Sequence, residues 1–199
     1  MKRLFRYLSA LLIIAVIGVV AGVLGNHYWT HRFDPIIAKH AKTFDVDERL
    51  VWSVIYEETF FREWKIGADD EIGLMQVTPT VVRIWAKAAG SKEQQDKAIS
   101  DVRGLVSDPD LNIEVGCWYL DKVRQRYKGY PAETAMALAA YNAGPSRVVD
   151  WTADTDPSKI SEKDFIDHIE IQSTRNYVDR KSTRLNSSHE WISRMPSSA

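Results

Sequence analysis

Two adjacent glutamates close an apolar helical run in the stretch VWSVIYEE, which ends at Glu58. On a helix turning about 100° per residue, Leu50, Val51, Val54 and Ile55 spread over one face whose centre lies close to the direction of Glu58. Glu57 lies about 90° from that centre, towards the polar edge and water. Burying an unpaired carboxylate costs on the order of several kcal/mol, so such a group is paired, protonated or used. Partial burial also raises its pKa, which is what a general acid near neutral pH requires. Glu58 is therefore the candidate acid, and the bland alternative is a frayed helix end that lets its side chain reach solvent.

Other chemistry is sparser. Gln76 both donates and accepts hydrogen bonds, which suits either an acetamido sugar or the bracing of its own loop. Asp69, Asp70 and Glu71 lack the spacing of a calcium-binding hand and read as a solvated turn. The five histidines form no zinc-like pair with a third ligand. Cys117 is the single cysteine, so no intrachain disulfide and no cysteine metal cluster can form. No glycine-rich phosphate loop and no serine nucleophile elbow occurs. The formal net charge of -1 gives no electrostatic case for nucleic acid as partner.

The elements that must hold Glu58 read as helices. Asp47 is placed to cap the helix that carries it, and Asp34-Pro35, Thr78-Pro79 and Asp108-Pro109 each offer a capping side chain followed by proline at the first helical position. Gly90, Gly129 and Gly144 fall where helices should end. Apolar spacing is mostly three or four, with no sustained alternation. Residues 34–180 are expected to form one all-α domain of six to eight short helices. The chain's 199 residues, 45% hydrophobic and 27% charged, supply a core for one such domain.

Ahead of it, Lys2, Arg3 and Arg6 precede a run from Leu8 to Leu24 without a charge. Its length of about 17 residues suits an uncleaved anchor or a cleaved signal peptide, and either way residues 1–25 enter a membrane and the domain is exported. Residues 26–33, NHYWTHRF, read as a linker. Residues 181–199, KSTRLNSSHEWISRMPSSA, are serine-rich and without helical periodicity. They resemble translated adaptor sequence more than a natural chain end, the alternative being a native disordered tail.

The residues around Glu58 carry a resemblance. Glu58-Thr59-Phe60-Phe61, then Gly73-Leu74-Met75-Gln76 and Pro79, with Gln76 eighteen residues after Glu58, resemble the first motifs of the lytic transglycosylases of the soluble, lysozyme-like type. Asn112, Ile113, Gly116, Tyr119 and Leu120 in LNIEVGCWYL follow in order. So do Tyr141, Asn142, Gly144 and Trp151 in ALAAYNAGPSRVVDW, and Tyr177 in STRNYV. The resemblance spans residues 34–180. Two departures stand out. Thr59 replaces the usual serine, and Gly67 stands nine residues after the glutamate, where many members carry a substrate-contacting serine.

The resemblance implies a lysozyme-like helical fold in the bacterial cell envelope, acting on peptidoglycan glycan strands without a cofactor or metal. Glu58 would be the catalytic acid and base, with Thr59, Met75, Gln76, Tyr119, Tyr141, Asn142 and Tyr177 contacting the sugar. From the residues alone, Met75 is as well explained as core filler, Asn142 as a structural cap, and the tyrosines as core. Two rival readings remain: a hydrolytic muramidase resembling goose-type lysozyme, and a membrane-anchored peptidoglycan-binding protein without catalysis.

Overall fold

The computed structural model describes the backbone of residues 2–193 and the side-chain surroundings of residues 6–182. Residues 194–199, the end of the expected tail, lie outside the described residues. The chain divides into two compact units, Met1–Pro35 and Ile36–Ala199.

The first unit is dominated by α1, Lys2–His31. Residues 26–33, expected as a linker, are helical as far as His31. The sequence NHYWTH holds no proline, and its one glycine neighbour, Gly25, meets nothing within 4 Å, so nothing local breaks the backbone ladder. The helix ends where the Arg32 guanidinium folds back over Trp29, 3.6 Å from the ring centroid, and donates to the Trp29 carbonyl at 2.7 Å.

The second unit is helical, and among the described residues it has no named strand. Its elements are α2 (Asp34–Thr43, which begins at the end of the first unit), α3 (Glu48–Thr59), α4 (Pro79–Ala89), α5 (Lys92–Ser100), α6 (Val102–Val106), α7 (Pro109–Gln125), α8 (Glu133–Ala143), α9 (Pro145–Trp151), α10 (Glu162–His168) and α11 (Gln172–Ser193). The expected six to eight helices become ten because α6, α9 and α10 are too short to show a period of 3.6 residues in sequence. Three of the four expected caps hold, while Asp34 is itself the first residue of α2 and its carboxylate meets the His31 ring at 2.7 Å instead of capping the helix. Asp47 accepts from the Arg49 N–H at 2.8 Å, Thr78 from Val81 at 3.3 Å and Asp108 from Leu111 at 2.9 Å, with Pro79 and Pro109 at the first helical positions. Each such cap contributes about 1 kcal/mol.

The core is built around α8, whose Ala135 to Ala140 are all fully buried. A helix apolar all round is one surrounded by others, and α7, α9, α10 and α11 all pack on it. Its alanines let those neighbours approach closely. On the flank, α3 packs against α11, burying Val51, Val54 and Ile55 on one side and Tyr177 and Val178 on the other. The expected loss of regular structure at residue 181 does not occur, since α11 runs on to Ser193. A helix already nucleated over its first turns adds residues at a cost of only tenths of a kcal/mol each, about what serine and asparagine impose.

Candidate active site

Glu58 sits in the last turn of α3, and the chain reverses directly behind it. Phe60 and Phe61 both adopt the left-handed backbone conformation, at φ 50° and 60°. Each such non-glycine residue costs about 1 kcal/mol or more. Full burial of the Phe61 side chain offsets this, and the Phe60 N–H caps the helix on the Tyr56 carbonyl at 2.9 Å. The reversal sends residues 62–78 back past the helix end as a loop, pinned by single bridges between Ile66 and Ile72 and between Ile72 and Val77.

Three side chains fasten that loop to the helices. The Thr59 hydroxyl, buried, donates within reach of the Ile55 carbonyl at 3.0 Å and the Leu74 carbonyl at 3.2 Å. Asn112 of α7 accepts from the Met75 N–H at 2.9 Å and donates to the carbonyls of Ile72 at 2.9 Å and Val106 at 3.1 Å. Tyr141 of α8 donates to the Met75 carbonyl at 2.8 Å. Gly73 is required twice over: its φ is +72°, and a Cβ there would lie 2.4 Å from the Asn112 amide nitrogen.

The carboxyl of Glu58 is largely shielded by what surrounds it. From α11 come Tyr177 and Lys181, from α8 Tyr141, and from the loop Lys65 and Glu71. The Lys65 ammonium donates to the Glu58 backbone carbonyl. Lys181, fully buried, holds its ammonium over the Tyr177 ring, 3.0 Å from the centroid. Burial is the largest effect on Glu58 and pushes its carboxyl above the usual carboxylate range, with the Glu71 charge adding to it. The Tyr177 hydroxyl and the Lys181 and Lys65 ammonium groups pull the other way. The Tyr177 hydroxyl reaches full hydrogen-bond geometry with nothing among the described residues, yet stands close enough to Glu58 to favour its carboxylate. Burial, reinforced by the Glu58 charge, holds both Tyr141 and Tyr177 far above the ordinary tyrosine value. Both stay protonated as donors.

The site residues inferred from sequence are brought together unequally. Glu58, Tyr141 and Tyr177 form one electrostatic group, and Tyr119 extends it, its ring 5.5 Å from that of Tyr141. Gln76, at φ 47°, spends its amide N–H groups on the carbonyls of Gly73 at 2.8 Å and Lys65 at 3.2 Å, leaving its Oε1 towards Gly67. Its loop-bracing role is thus visible, with one acceptor over for a sugar. Met75 is fully buried, its side chain lying where α7 has Gly116, and Thr59 is buried with its hydroxyl engaged. Both hold the loop from inside rather than lining a cleft. Asn142 is exposed, and its Oδ1 accepts from the Thr174 hydroxyl at 2.8 Å, tying α8 to α11. Glu57 departs from its expected reach into water, because Arg180 of α11 pairs with it at 3.0 Å and its side chain is only 13% exposed.

Lys65 and Lys181 were not singled out by sequence reasoning, and Glu71 was read with Asp69 and Asp70 as a solvated turn, whereas it is half-buried and its charge acts on Glu58. Lys65 and Glu71 lie on an irregular loop with no period to read. Lys181 falls in the segment whose composition argued against a packed role. Cys117 is buried and its thiol is pushed up to about 12, so it is no nucleophile.

The transglycosylase SLT domain family matches this chain over residues 35–163. The soluble lytic murein transglycosylase of Salmonella typhimurium is 25% identical over 170 residues, covering 83% of this chain and 24% of that protein. The membrane-bound lytic murein transglycosylase C of Yersinia pestis is 27% identical over 124 residues, covering 60% of this chain and 33% of that protein. This chain therefore spans about a quarter to a third of the length of the curated relatives it matches. Among solved structures, an inactive glutamate-to-glutamine mutant of lytic transglycosylase Slt from Pseudomonas aeruginosa superimposes with a TM-score of 0.62 at 24% identity, over 79% of this chain and 25% of that one. That likeness bears on the fold.

Proposed function

Because the chain belongs to the transglycosylase SLT domain family, we propose that its second unit is a peptidoglycan lytic transglycosylase of the cell envelope with Glu58 as sole general acid and base. The bond cleaved is the β-1,4 link between N-acetylmuramic acid and N-acetylglucosamine. The observation that carries the reading is the burial of Glu58, which holds its carboxyl above the usual range. The proton is thereby kept to higher pH than on an ordinary glutamate, the direction a general acid requires.

Protonated Glu58 donates to the glycosidic oxygen as the bond to the anomeric carbon breaks, and the substrate's own acetamido group stabilises the developing cation. The Glu58 carboxylate then takes the proton of the muramic acid 6-hydroxyl, whose oxygen attacks the anomeric carbon and closes a 1,6-anhydro ring. Glu58 ends protonated, as it began. No water enters, and the intramolecular attack has the advantage of a tethered nucleophile. Tyr177 and the two ammonium groups stabilise the carboxylate formed between the two transfers. Tyr119 and Tyr141 offer flat faces for the glycan, and the Gln76 Oε1 an acceptor for an acetamido N–H.

One observation supports a hydrolytic alternative. Glu71 is a second carboxylate close enough to act on Glu58, and a paired carboxylate is what hydrolytic glycosidases use to activate water. Mass spectrometry of the muropeptides released by the purified protein separates the two. Anhydro ends, one water lighter than reducing ends, are expected, and a majority of reducing muramic acid ends would replace this reading with the hydrolase. In the same assay Glu58→Gln should lose about a hundredfold or more of activity, while Glu57→Gln keeps most of it.

A further inference from the structure

We propose that this chain acts on glycan strands whose reducing end is still joined to a lipid of the bilayer that holds α1, because its second unit is tethered within a thin layer over that membrane. The inference rests on the proposed reaction at Glu58 and on α1 as an uncleaved membrane span.

The tether is the stretch of chain between the lipid and the second unit. The apolar run of α1 ends at Leu24, is not covered by protein, and is followed by Asn26, the first side chain beyond it that can hydrogen-bond. Tyr28, 71% exposed, and Trp29 come on the next turn, and both are residue types that settle among lipid headgroups. The helix continues unbroken to His31, and α2 begins at Asp34. Only Arg32 and Phe33 separate the two helices, and they are fastened. The Arg32 guanidinium lies over the Trp29 and Phe33 rings, 3.6 and 4.5 Å from their centroids, and donates to the Trp29 carbonyl at 2.7 Å. Across the same turn the His31 ring meets the Asp34 carboxylate at 2.7 Å, and the buried Thr30 hydroxyl donates to the Asn26 carbonyl at 2.9 Å. A flexible spacer rich in glycine and serine, which would widen the reach, is not what this stretch holds.

These lengths set the reach. The helical path from Leu24 to His31 rises about 10 Å, and fully extended steps from there to Asp34 add at most about 10 Å. A unit of residues 36–180 has a radius of gyration of about 15 Å, hence a diameter of about 40 Å. At any orientation of that unit, Glu58 therefore stays within about 60 Å of the lipid edge. A strand being lengthened by glycosyl transfer on a lipid diphosphate carrier is held in that same layer by its own lipid. A finished strand freed from the carrier is not. Confining enzyme and substrate to one layer gives the pair an effective concentration that reaches about the millimolar range for short tethers. The reaction that supplies the substrate is thus polymerisation on a lipid carrier, and cleavage follows it before the strand is released.

The test places the full chain in vesicles of phosphatidylethanolamine and phosphatidylglycerol that also carry lipid-linked glycan strands. A second set of vesicles receives the same amount of the same strands, cleaved from the lipid at the diphosphate. The wild type is expected to cut linked strands about tenfold or more faster than freed ones, and to cut both at the same rate once detergent disperses the vesicles. Inserting about 40 glycine and serine residues between Phe33 and Asp34 adds a spacer of about 35 Å root-mean-square length. The insertion should lower the advantage of linked strands severalfold and leave the rate in detergent unchanged. If the insertion costs activity in detergent, the wild-type comparison decides by itself. Freed strands cut as fast as linked ones in vesicles, or an advantage that the spacer leaves untouched, overturns the proposal. So does an exported chain whose N-terminus has been removed beyond residue 21. Glu58→Gln in the same vesicles keeps the two readings apart. Activity of that variant on either form of strand removes the acid assignment, whereas an inactive Glu58→Gln beside a wild type without preference removes only the lipid-linked substrate.

Discussion

Glu58 is held between opposed influences, and the opposition makes its protonation measurable in two ways. Its folded-state pKa is raised by burial, so folding favours the protonated form. The stability this contributes is complete below the ordinary glutamate range and is lost as pH rises through the folded value. Glutamine carries no such penalty. The melting temperature of Glu58→Gln should therefore equal that of the wild type in acid and exceed it increasingly as pH rises past the ordinary glutamate range. A constant difference across pH would mean that Glu58 ionises as freely in the fold as in the unfolded chain. Lys181→Met probes the opposite side. Removing the buried ammonium that favours the Glu58 carboxylate should raise the Glu58 pKa further and move the high-pH limb of activity upward. At this scale Glu58 was legible because a helical face fixes direction from spacing alone. Lys65 and Glu71 were not, since an irregular loop has no period that says which side chains turn inward. Nor could Lys181 be read, its composition suggesting solvent where the fold gives it the Tyr177 ring.

The element that decides the site is the loop of residues 62–78, and the structure shows why it cannot stand alone. It has two isolated bridges in place of a sheet, so its backbone groups must find partners on the helices. Asn112 supplies two of them from α7, for the Met75 N–H and the Ile72 carbonyl, and its third bond ties the Val106 carbonyl of α6. Asn112→Ala leaves a buried N–H and two buried carbonyls short of that partner, and the expected cost is about 2–4 kcal/mol, read as a lower midpoint in urea unfolding. The same change frees the stretch from Ile72 to Gln76, so activity at moderate temperature should fall by more than the unfolded fraction accounts for. A loss below about 1 kcal/mol would show that water replaces the amide without penalty. The motif Gly-Leu-Met-Gln was legible as a pattern before its physical meaning was. Gly73 allows the turn over Asn112, Met75 fills the gap above Gly116, and Gln76 ties the loop to itself. The caps of α3, α4 and α7 were legible for a simpler reason, because a side-chain oxygen two or three residues before the amide it accepts is a local device. The run of α11 past residue 181 was not, since composition weighs each residue singly while a helix extends cooperatively.

For the whole molecule the open matter is where the chain resides. The helix α1 has 30 residues, about 45 Å at 1.5 Å per residue, against a hydrocarbon thickness of about 30 Å. Leu11, Ile14, Val19 and Leu24 are each more than 60% exposed, and no side chain of the unit they belong to covers them. Their exposure in water would be costly at about 25 cal/mol per Å², whereas in lipid it costs nothing. Lys2, Arg3 and Arg6 at one end favour retention of that end in the cytoplasm. The full chain is therefore expected to stay with membranes through alkaline extraction, with the second unit open to protease added outside the cytoplasmic membrane. Ile14→Arg with Val19→Arg should release the chain from the membrane or stop its export, since each arginine near the middle of a span costs about 2.5–3.5 kcal/mol on insertion scales. A chain recovered from the soluble exported fraction with its N-terminus beyond residue 21 would show that the segment is a signal peptide removed after passage. A protease-protected domain in the cytoplasm would overturn the topology altogether, and with it the access to peptidoglycan that the proposed reaction needs.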